Sequence, residues 1–98
     1  MLENLNLEKF SQHLNSIFIV KHESGATTEL KLIDAKPSSK IPTYEQFSLL
    51  FLGPPNAFLP QAIYSFEHEQ LEPFEMFIVP IKQVAEGFRY EAVVNRPL

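Results

Sequence analysis

The chain of 98 residues predicts an all-β fold: a six-stranded antiparallel barrel or roll with one short N-terminal helix (by element count, a small α+β domain). Three observations lead there. Segments rich in β-branched and aromatic residues recur at a spacing of about ten residues, several with apolar and polar side chains in alternation. Glycine, proline and small polar residues gather between most of them, where turns belong. A helical period of apolar residues occurs at one place, near the start.

The helix is expected over residues 6–14. Asn6 is a good N-cap, Glu8 sits in the first turn, and Leu7, Phe10 and Leu14 recur on one side. So short a helix is marginal alone and has to dock on an apolar surface. "SIFIVKH" (16–22) is the first strand, and a turn around Gly25 leads into "TELKLIDAK" (28–36), where Leu30 and Leu32 oppose Glu29 and Lys31. The two read as a hairpin. A polar loop through "PSSKIPT" separates them from the third strand, "EQFSLLFLG" (45–53).

In the fourth strand, "AIYSFEHE" (62–69), Ala62, Tyr64, Phe66 and His68 share a face against Ser65, Glu67 and Glu69. "QLEP" turns into the fifth, "FEMFIVPI" (74–81). "KQVAEG", with Gly87 as its permissive position, makes a hairpin into "FRYEAVVN" (88–95), where Phe88, Tyr90, Ala92 and Val94 oppose Arg89, Glu91 and Asn95. Residues 1–98 read as a single domain.

Composition narrows the function. Cysteine is absent, which excludes disulfide frameworks, thiolate zinc sites and cysteine nucleophiles. Eight basic and twelve acidic side chains give a net charge of -4, and the basic ones are scattered singly, so no nucleic-acid partner is expected. No stretch has the length of a membrane span, and "MLENLNLEKF" carries acids where a secretory leader is basic. The expectation is a protein cytoplasmic as synthesised, without signal peptide or membrane partner, and able to join a larger particle.

Three strands carry more apolar side chains than one core can hold. In the third, Phe47, Leu49 and Phe51 face one way while Leu50 and Leu52 face the other. In the fifth, Phe74, Met76 and Ile78 oppose Phe77, Val79 and Ile81, and in the first Ile17 and Ile19 oppose Phe18 and Val20. Left wet, these second faces would make a patch larger than soluble monomers usually show. One cover is the chain's own helix together with the uncharged run "FLGPPNAFLPQ" (51–61), whose prolines restrict the loop and whose Phe58 and Leu59 fold back over a strand. The other is a partner protein or a second copy.

Chemistry-bearing groups are sparse. "EHE" (67–69) invites a metal reading, but strand phase points Glu67 and Glu69 away from His68, so a solvated strand end is expected and no metal or cofactor. Asp34 is the sole aspartate and no Gly-x-Ser-x-Gly elbow exists, which argues against a Ser-His-Asp relay. His13 sits at the helix end and His22 before a turn. Glu75 is the one carboxylate set between large apolar neighbours. Large inward residues fill a small barrel rather than hollow it.

The run "FSLLFLGP", "FLPQAIYSFEHEQL", "EMFIVPI" and "GFRYEAVVN", with "LENLNLEKF" at the start, resembles a family of small bacterial proteins known as a domain of unknown function. Ala62 departs from the pattern, which has glycine there. The resemblance implies no catalytic residues. It implies encoding near genes for phage-tail-like fibre proteins, which suits an accessory domain of a larger assembly.

The expected function is a non-enzymatic structural or protein-interaction module that self-associates or docks on a partner through apolar strand faces, using Leu50, Leu52, Phe77 and Val79, with Phe58 as an anchor. The alternative is a small-ligand-binding domain or small enzyme with a polar site at the barrel end, built from Tyr64, His68, Glu75 and Arg89.

Overall fold

The alternating segments close into a ring. The computed structural model describes residues 5–39 and 44–97. A helix, α1 (Leu7–Ser11), precedes six strands: β1 (Ile17–Lys21), β2 (Thr27–Ser39), β3 (Tyr44–Gly53), β4 (Ala62–His68), β5 (Leu71–Val84) and β6 (Gly87–Pro97). Around the barrel the order is β1-β2-β3-β6-β5-β4, every neighbouring pair is antiparallel, and β4 returns beside β1 to complete the circle. Three hairpin-linked strands followed by a fourth that comes back beside the first make a Greek key. The long connection this topology requires is residues 54–61, the proline-rich run.

Strand phase sorts the side chains as the alternation predicts. Phe18, Val20, Leu30, Leu32, Phe47, Leu49, Phe51, Phe66, Ile78 and Tyr90 point inward and are fully buried. Phe66 stacks on Phe74 with ring centres 5.3 Å apart, and Phe18 meets Phe51 edge-on at 5.6 Å. Aromatic pairs of this kind contribute about 0.5–1.5 kcal/mol each beyond their buried area.

The helix plugs one end. Asn6 caps it as expected, its Oδ1 accepting the Lys9 N–H at 2.8 Å. Phe10 enters the barrel mouth, where its ring lies within 5.7–6.3 Å of Phe18, Phe47 and Phe74. The helix is shorter than the periodicity predicts. Asn15 takes a left-handed φ of 67°, its N–H donates to the Leu32 carbonyl, and the Leu32 N–H donates to Ser16. Pairing with β2 pulls the chain straight, so Leu14 ends up exposed rather than on the buried stripe.

The crossover caps the other end, and this corrects the expected cover. Leu59 is fully buried, and its N–H donates to the Tyr90 hydroxyl at 2.9 Å in the interior. Phe58 does not cover the second face of a strand. It stays 53% exposed and meets Phe88 edge-on at 5.1 Å. Beneath the loop, Gly87 has φ +149° and lies so close to Gly53 that a Cβ would overlap the Gly53 carbonyl oxygen. Only glycine fits that hairpin.

Two strands exceed their expected limits by three residues at one end or both. β2 continues through Pro37 to Ser39, absorbing part of the expected loop, whose residues 40–43 lie outside the described residues. β5 begins at Leu71 because the turn after β4 is tighter than "QLEP" suggests, and a bulge between Pro80 and Lys82 carries it on to Val84. Among the described residues no helix is long and apolar enough to cross a membrane.

Replacing Tyr90 by Phe is expected to destabilise the fold by about 1–3 kcal/mol, because a buried Leu59 N–H then has no acceptor. Urea unfolding reads this directly. An unchanged midpoint would mean that the crossover does not seal the barrel.

Candidate functional site

At the helix end, His13 and Ser16 of the α1–β1 connection and His68 of β4 form a polar clasp. His68, the last residue of β4, packs its ring against Phe18 (4.6 Å between centres) and His13 (4.7 Å), sealing the edge of the core. Its Nδ1 accepts the Gln70 N–H at 3.1 Å. In the neutral ring the proton therefore sits on Nε2, which donates to Ser16 Oγ at 2.9 Å. The Ser16 hydroxyl in turn donates to the His13 carbonyl. A general base must instead accept the serine proton. The polarity of these hydrogen bonds runs the wrong way, so the pair joins the α1–β1 connection to β4 rather than arming a nucleophile.

Burial, and then the neighbouring His13, lower the His68 pKa, with Glu69 opposing. A groove of about 640 Å³ runs beside the clasp, between outward-facing Ile17 and Ile19 on one side and Glu67 and Leu71 on the other. Glu67 is engaged by Lys21 at 2.8 Å, an exposed pair worth about 0–1 kcal/mol. Among the described residues no three histidine, aspartate or glutamate side chains converge as metal ligands would.

The four residues of the polar-end alternative are not brought together. Tyr64 donates its hydroxyl proton to the Pro60 carbonyl at 2.6 Å, near the crossover cap. Burial raises its pKa. His68 sits at the opposite, helix-plugged end. Glu75 pairs in register with Ser65 on the outer wall. Arg89 pairs with Lys82 on β5, near the Gly87 hairpin.

The apolar outer wall is more open than a cover by helix and loop would leave it. Phe77 is 49% exposed and lies opposite Ile63, at 67%. Ile81 and Val93 continue the exposed set on β5 and β6. Leu50, Leu52 and Val79 are half-buried on the same outer surface, where Leu50 and Val79 flank Glu91 from either side. Ile63 and Val93 were not among the residues expected from sequence, although simple alternation with buried Phe66 and Val94 places both outward. The Ser16–His68 clasp carries no sequence signal, since its partners are 52 residues apart.

A family model described as a domain of unknown function (DUF6916) matches residues 5–94. No curated protein and no solved structure matches the chain.

The clasp sets a pH dependence. A histidine whose folded pKa lies below its unfolded value binds its proton more readily in the unfolded chain, so stability is full at neutral pH and falls as pH drops below the ordinary value of 6.5. Urea midpoints across that range should decline in the wild type and decline less in His68→Gln. Equal slopes in the two proteins would show that His68 does not stay neutral in the fold.

Proposed function

We propose, from the premise that this chain belongs to the DUF6916 family, that it is a non-enzymatic protein-interaction module docking through its apolar outer wall, as an accessory of a phage-tail-like or fibre assembly. One observation carries the docking part. Both segments able to cover the second faces of the strands are committed to the barrel ends, through Phe10 and Leu59, and Ile63, Phe77, Ile81 and Val93 remain about half exposed or more. Burying the exposed half of one such side chain removes apolar area worth about 1 kcal/mol, so the wall holds burial free energy that the isolated fold does not use.

The expected contributors Leu50, Leu52, Phe77 and Val79 belong to this wall, and Phe58 stands at its rim beside the crossover. The filled interior and the reversed Ser16–His68 hydrogen bond favour a docking module over an enzyme. The fibre setting rests on the resemblance of the sequence motifs alone.

Ile63→Lys combined with Phe77→Glu, which sets opposite charges on the two opposed positions, is expected to leave stability within the small range of surface substitutions, about 0.5 kcal/mol. The same double variant should lose photo-crosslinking from a probe placed at Val93 in the native host. A variant that unfolds would make these residues core. Unchanged crosslinking would remove the wall from the interface.

A further inference from the structure

The outer wall over β2, β3, β6 and β5 carries two charged rows. In one, register sets Lys31 opposite Leu52, Leu52 opposite Arg89, and Arg89 opposite Lys82. In the next row towards the helix end, Asp34 stands opposite Leu50, Leu50 opposite Glu91, and Glu91 opposite Val79. A bulge between Leu32 and Asp34 keeps Asp34 on the outside, three positions after Lys31, where plain alternation would have turned it inward.

The basic row is poorly satisfied within the molecule. Lys82 and Arg89 are like charges directly opposed across a strand pair, which is unfavourable. The Arg89 Nε is shielded from water with no hydrogen-bond acceptor. Among the described residues neither Arg89 nor Glu91 takes part in an ion pair, and Asp34, whose Oδ1 accepts the Ala35 N–H at 2.9 Å, is paired in charge only loosely with Lys36 at 3.9 Å.

We infer that this wall is an interface between two copies of the chain, related by a two-fold axis running across the strands between the two rows. That operation lays each row of one copy over the other row of its partner while keeping every strand in its column. Lys31 then faces Asp34, Leu52 faces Leu50, and Arg89 faces Glu91, each contact occurring twice. An interface of this isologous kind needs a self-complementary patch. One axis satisfies three columns at once, which singles out a second copy over an unrelated partner. β3 and β6, the central columns, pair over ten residues without a register shift, so the wall under the contact is regular.

This inference rests on the docking reading and assigns the occupant of its β3 side. The test is charge exchange, read by sedimentation of purified protein. The wild type should dimerise. Arg89→Glu alone and Glu91→Arg alone should each be monomeric, since each sets like charges against one another twice. Mixing the two variants should restore a dimer containing one copy of each, because both ion pairs re-form with the polarity of one reversed. Circular dichroism checks that each variant is folded, and Lys31→Glu with Asp34→Lys replaces any that is not. Two folded variants that fail to associate on mixing, or a wild type that stays monomeric at high concentration, would overturn the dimer. Crosslinks from the Ile63–Phe77 side to a different protein would survive that failure and leave the broader docking reading standing.

Discussion

A sheet that closes on itself has no edges along its sides, but it has two open mouths, and in a barrel of six strands water reaches the core through either. Filling them is the constraint that organises this chain. At one mouth Phe10 is driven in by a helix too short to be stable without that contact. At the other, Leu59 is held by a hydrogen bond to Tyr90, whose own phenol is raised in pKa by the burial this requires. The charge-free, proline-rich run belongs here. A Greek key needs a crossover over one end, and a crossover that enters the core cannot carry charge.

Committing both segments to the mouths has a consequence for the wall between them. β3 and β5 carry apolar residues in both phases, and only one phase fits inside. The remaining set faces outward with no element of the described chain left to lie over it. The bare apolar wall therefore follows from the plugging of the ends. A loop freed to cover Phe77 would uncover Tyr90.

Strand periodicity made most of this legible in the sequence. The inward sets of β3, β5 and β6 follow from alternation alone, and Gly25 and Gly87 mark their hairpins through positive φ. Three things were not legible. The destination of Phe58 and Leu59 depends on strand order, which periodicity does not encode, so a loop that caps an end looked like one that covers a wall. The end of α1 depends on Asn15 and Leu32 meeting through backbone hydrogen bonds, which no side-chain pattern announces. The outward turn of Asp34 depends on a bulge, and the charged rows appear only when four strands are set in register.

The claim on which the account stands is that Leu59 is sealed while the outer wall is bare. Methyl NMR of the dilute protein with a soluble paramagnetic probe tests it most directly. The Ile63 methyl signals should broaden strongly and those of Leu59 should be untouched. The reverse pattern, with Ile63 protected and Leu59 bleached, would mean that the crossover lies over the wall and that the docking surface does not exist.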